Sequence, residues 1–112
     1  MMPDSSIPWH MAGGQPLPEG TPFKRVLKYT LHDMGMAIQP LPEGSRVVSF
    51  IDQGGAIQMY AEVAIHPGPL EQRRFVVLYT GFHGVPADAE FLGTVVSEGG
   101  NIVRHIYELR AP

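Results

Sequence analysis

Cysteine is absent from the 112 residues, which excludes disulfides, thiolate metal sites and cysteine nucleophiles together. Uninterrupted chain is scarce as well. With 13 glycines and 11 prolines, the longest stretch free of both is 23–34. A longer helix would carry an internal break costing about 1 kcal/mol for glycine or 3 for proline, so helical bundles and coiled coils are excluded. No apolar run approaches the roughly 18 residues of a membrane span, and residues 1–14 lack the basic start and apolar core of a secretory leader. A cytoplasmic protein without a membrane partner is therefore expected. Excess positive charge is missing too. Eight Lys and Arg stand against eleven Asp and Glu, a net charge of −3, so nothing draws the chain to phosphate backbones and nucleic acid is not expected as a partner.

Recognisable catalytic signatures are also lacking: there is no Walker loop, Gly-x-Ser-x-Gly elbow, His-Glu-x-x-His, Gly-x-Gly-x-x-Gly or Asp-rich calcium loop. The five histidines, His10, His32, His66, His83 and His105, show no His-x-His or His-x-x-x-His spacing. No catalytic residue, metal or cofactor is assigned on this basis.

What is present divides the chain in two. Residues 1–22 hold five prolines and three glycines without apolar periodicity, and read as an extended arm. Its Ile7, Trp9, Met11 and Leu17 are apolar enough to dock, either on this domain or on a neighbour, and Trp9 is the only tryptophan. The hexapeptide Gln15-Pro16-Leu17-Pro18-Glu19-Gly20 recurs as Gln39-Pro40-Leu41-Pro42-Glu43-Gly44. Both copies are expected to be turns that launch strands, each closing on a glycine free to take positive φ.

Over 23–112, short runs rich in β-branched and aromatic residues alternate with Gly and Pro clusters, the pattern of an antiparallel all-β domain. Seven strands are expected in a small sandwich or partly open barrel, with two packed layers favoured. The strands fall near 24–31, 36–39, 46–52, 56–66, 75–80, 90–97 and 102–109. Asp52-Gln53-Gly54-Gly55 joins the third and fourth as a hairpin, and Glu98-Gly99-Gly100-Asn101 the last two. Leu27, Tyr29 and Leu31 share one face, as do Ile57, Met59, Ala61, Val63 and Ile65. Phe75-Val76-Val77-Leu78-Tyr79 is apolar on both faces, which predicts a central strand covered on both sides. On the final strand, Val103, His105, Tyr107 and Leu109 are expected to point inward. Marginal size makes a homo-oligomer a natural expectation.

The loop Gly81-Phe82-His83-Gly84-Val85-Pro86 sets an aromatic and an imidazole between glycines beside the central strand, and is the expected recognition surface. A bend with Phe82 capping the core is the plainer alternative. Arg73 and Arg74 are placed beside that loop, and Glu71 with either arginine reads as an exposed ion pair. His105 reads as a hydrogen-bonded core histidine.

Several motifs occur in order: Lys28-Tyr29, Leu41-Pro42-Glu43-Gly44, Val47-Val48-Ser49-Phe50, Gln53-Gly54-Gly55, Pro69-Leu70-Glu71-Gln72-Arg73-Arg74-Phe75, Thr80-Gly81, Leu92-Gly93-Thr94-Val95 and His105-Ile106-Tyr107-Glu108. The series resembles an uncharacterised family of small β-rich proteins encoded by tailed phages and prophages, and spans about 25–109. Phe82-His83-Gly84 departs from the family's histidine-proline step. The resemblance implies origin and approximate fold, and no activity. By association it suggests a non-catalytic binding protein that sequesters or blocks a host component: a defence or CRISPR effector, or a small signalling molecule. Trp9, Arg73, Arg74, Phe82 and His83 are the candidate contacts. Two alternatives stand beside it. One is a small hydrolase using His83 and His105 with Glu108 or Asp88; the other is a virion or assembly component.

Overall fold

A computed structural model describes Pro18 and residues 23–31, 35–82, 84–97 and 99–109. Seven antiparallel strands form two sheets: β1 (Lys24–Leu31), β2 (Gly35–Pro42), β3 (Arg46–Gln53), β4 (Ala56–Ala64), β5 (Leu70–Tyr79), β6 (Glu90–Val96) and β7 (Val103–Leu109). Sheet A runs β1-β4-β3 and sheet B runs β2-β5-β7-β6. They stack as a sandwich that does not close into a barrel, and the described residues contain no helix, membrane-spanning or otherwise.

The two-residue rhythm of the sequence survives in the pairing. Leu27, Tyr29 and Leu31 of β1 stand opposite Ala61, Met59 and Ile57 of β4, and directly opposed residues share a sheet face. Phe75 and Val77 of β5 enter the core from sheet B, meeting Leu31, Leu41, Ile57, Met59, Val95 and Ile106. Gly54 and Gly55 join β3 to β4 with φ of 63° and 89°, the double positive φ that a two-residue hairpin turn of matching twist requires. The β6–β7 hairpin closes through Ser97 N donating to Ile102 O at 2.7 Å.

Two ion pairs cap the core at opposite ends. Arg73 donates from Nε and Nη2 to both oxygens of Glu108 at 2.6 and 2.7 Å, and from Nη1 to the Ser45 carbonyl. Arg104 donates from Nη2 to Asp52 Oδ1 at 2.7 Å, joining β7 of sheet B to β3 of sheet A.

Three expectations need correction. The final strand is inverted: Ile106 and Arg104 are buried, while His105 and Tyr107 lie on the outer face of sheet B. Arg104 and Glu108 look like surface residues but are ion-paired within the sandwich, so polarity misreports the face. The second hexapeptide is not simply a turn: Gln39, Pro40, Leu41 and Pro42 complete β2, and only Glu43-Gly44 turns, with Gly44 at φ 81°. An edge strand tolerates such prolines, because one side of it has no ladder to complete. The first hexapeptide lies outside the described residues save Pro18. Finally, Arg73, one of the two arginines expected to pair with Glu71, is instead ion-paired with Glu108 and mostly buried.

The faces turned away from the core differ between sheets. On sheet A, Lys28, Tyr60 and Ser49 form one lateral row and Thr30, Gln58 and Ile51 the next, an ordinary polar surface. On sheet B the row Met36, Val76, Tyr107 and Phe91 crosses all four strands. Val76 is buried there by its lateral neighbours, not by a further layer among the described residues.

Candidate functional site

Thr80 and Gly81 carry the chain off the end of β5, where Thr80 N donates to Val103 O at 3.3 Å and Gly81 takes φ 90°. That positive φ, which a side chain would strain, turns Phe82 back over the strand. Phe82 N donates to Tyr79 O at 3.2 Å, and the two rings meet edge to face with centroids 5.6 Å apart. The pairing of β5 with β7 brings Asn101, Ile102 and Val103 to the same end. Together with Tyr79, Thr80 and Phe82 they line an open cleft of about 440 Å3.

Among the described residues no charged side chain lines this cleft. Phe82 remains 54 % exposed and Ile102 46 %, so apolar surface is held in water beside a hydroxyl and an amide. A mostly apolar concavity with a few polar groups is the usual form of a binding site. A second depression of about 340 Å3, lined by Phe23, Ala64, Ile65 and His66, opens at the start of β1.

Of the five expected contacts, the structure places Phe82 on the cleft. Trp9 and His83 lie outside the described residues. Arg73 and Arg74 sit near the start of β5, and their distance from Phe82 corresponds to about 25 Å of extended strand. They are not beside the loop. Their side chains leave opposite faces: Arg73 joins Glu108 in the sandwich, and Arg74 is in the outer row with Ile38 and Leu109. Hydrogen bonding to Glu108 raises the Arg73 guanidinium above its already high ordinary value, outweighing the opposing effect of burial.

His105 is hydrogen-bonded as expected, but on the outer face. Its Nε2 is 2.8 Å from Thr80 Oγ1 and its Nδ1 3.0 Å from Thr94 Oγ1. Glu108 points to the other face of the same strand, so His105 and Glu108 do not converge as an acid–base pair. Among the described residues no three His, Asp or Glu side chains gather to hold a metal. Asn101, Ile102 and Val103 were missed by sequence reasoning. Their available signal was Gly99-Gly100-Asn101, a turn that must fall at the same end as Gly81 once β5 pairs with β7.

An open antiparallel sandwich with an aromatic-edged cleft at one end is thus the class of protein that the fold defines. Residues 22–112 match the model of a domain of unknown function, DUF7352, and the chain belongs to that family. No curated protein and no solved structure matches it.

Proposed function

We propose that this is a non-catalytic binding protein of the phage and prophage type, acting in the host cytoplasm. In this reading it sequesters or blocks a host component through the cleft at the Tyr79–Phe82 end. The observation that carries the proposal is Phe82, held by a positive-φ glycine turn with much of its ring in water beside Ile102 and Asn101. A ring kept exposed by the backbone is available for recognition instead of packing. The aromatic and aliphatic lining that Phe82, Tyr79 and Ile102 give the cleft favours a planar group. A defence effector could present it as a side chain, and a small signalling molecule could present it as a ring.

Immobilised full-length protein exposed to host lysate tests this. A protein or small molecule retained by the wild type should be lost from Phe82→Ala and reduced for Ile102→Ala. Equal retention by all three, or retention of nothing, would refute the proposal.

A further inference from the structure

We infer that the outer face of sheet B is the contact surface between two copies of this chain, with β2 of one copy lying over β6 of the other. The inference begins with β5. Phe75-Val76-Val77-Leu78-Tyr79 is apolar on both faces, the composition of a strand covered twice. Sheet A covers only one side. On the other, Met36, Ile38, Phe91 and Val96 are 62, 59, 56 and 54 % exposed, around a centre of Val76, Leu78 and Tyr107. No carboxylate shares these rows: Arg74, His105 and Thr94 are their polar members.

Extent and symmetry favour a second copy as the occupant. Four strands about 4.8 Å apart and about eight residues long at ~3.3 Å give a face of roughly 500 Å2 in plan. Two such faces pressed together reach the lower bound of about 1,000 Å2 for a specific interface. The face is also divided in a self-complementary way. The β2 side is aliphatic, with Met36 and Ile38; the β6 side is aromatic, with Phe91 edge to face on Tyr107 at 5.4 Å. A two-fold axis parallel to the strands, between β5 and β7, lays one copy's aliphatic half on the other's aromatic half. It brings Met36 sulfur against an aromatic ring, a favourable contact. Edge-to-edge pairing is obstructed by contrast: β2 carries Pro40 and Pro42, β3 and β6 are bulged between Val47 and Ser49 and between Phe91 and Gly93, and β1 carries Lys24, Arg25 and Lys28. The face remains as the route to association.

Sedimentation equilibrium of the full-length protein, over a concentration series, should show twice the chain mass of 12.3 kDa. Phe91→Glu and Met36→Lys should each raise the dissociation constant at least about 100-fold, because each buries an unpaired charge. Mixing the two variants should restore a dimer containing one of each, since the axis sets position 36 against position 91. Val26→Lys, on the outer face of sheet A and 59 % exposed in the wild type, should leave the dimer intact. Circular dichroism verifies folding, and either single variant suffices if the other fails to fold. A wild type that is monomeric throughout overturns the inference, as does a dimer indifferent to both substitutions or a mixture that stays monomeric. So does a monomer whose Trp9 emission shifts to the red in Phe91→Glu, which would assign the face to residues 1–22. Positions 26, 36 and 91 do not line the Phe82 cleft, so failure of this test and failure of the proposed function are read separately.

Discussion

Replacing Asp52 by leucine removes the anion from a buried pair whose other member cannot escape. Arg104 and Asp52 have side chains only 9 and 7 % exposed. The guanidinium has one strong contact to Asp52 at 2.7 Å and a long one to the Gly55 carbonyl at 3.4 Å, while its Nε has no acceptor. Removing one partner of such a pair leaves an uncompensated charge at a cost of about 3–5 kcal/mol. That is a large share of the 5–15 kcal/mol or so by which a whole domain is stable. At roughly 4–8 °C per kcal/mol for a domain near this size, Asp52→Leu should lower the thermal midpoint by at least about 12 °C. The double variant Asp52→Leu/Arg104→Met replaces the pair with apolar volume and should return to within about 1 kcal/mol of wild type or exceed it. The unpartnered Nε is the specific reason to expect recovery, since that desolvated donor disappears with the arginine. Urea unfolding of wild type, both single variants and the double variant closes the cycle. An Asp52→Leu protein within about 1 kcal/mol of wild type, or single effects that simply add, would refute the reasoning.

Other consequences follow from particular contacts. Gly93 lies against Phe50 of the opposite sheet, where an added Cβ would stand 3.2 Å from the ring; Gly93→Ala should cost about 1 kcal/mol and Gly93→Val more, read as a fall in urea midpoint. Ile106→Ala should cost about 2–5 kcal/mol, and Val103→Ala less than half as much, because the former side chain is in the core; the reverse order in urea unfolding would restore the inverted face of β7. Gly54→Ala should lose about 1–2 kcal/mol through its positive φ, with Gly54→Asn recovering much of it in the same assay. Arg73, raised above its ordinary value by Glu108, keeps its contribution at every pH below its unfolded value and loses it only on passing the still higher folded one. Wild type should therefore show no alkaline loss from this pair, whereas Arg73→Lys should lose stability as pH rises past lysine's ordinary value of about 10.4, measured by urea midpoint against pH.

Much of the architecture was legible because antiparallel strands write their faces into the sequence with a period of two. β1 matches the expected span residue for residue, and the Gly54-Gly55 hairpin follows from chemistry that few other turns share. The inversion of β7 has a physical cause. Ile106 is flanked on the inner face by Arg104 and Glu108, whose partners Asp52 and Arg73 are 52 and 35 residues away. Periodicity carries no information about such distant pairs. The opposite face of β7 belongs to an apolar sheet surface, so hydrophobicity could not discriminate between its sides. β2 was underestimated because Pro40 and Pro42 are punctuation in isolation but acceptable on an edge. The cleft was half legible: Phe82 stood out between glycines, whereas Asn101 and Ile102 reach it only through the β5–β7 pairing.

The proposed recognition site lies at the end of sheet B and not on the polar face of sheet A. Amide chemical-shift mapping of full-length protein, titrated with the species it retains from host lysate, tests that placement most directly. Perturbations centred on Phe82, Asn101 and Ile102 are expected. Shifts centred on Lys28, Tyr60 and Ser49, with the Phe82 end unmoved, would contradict it.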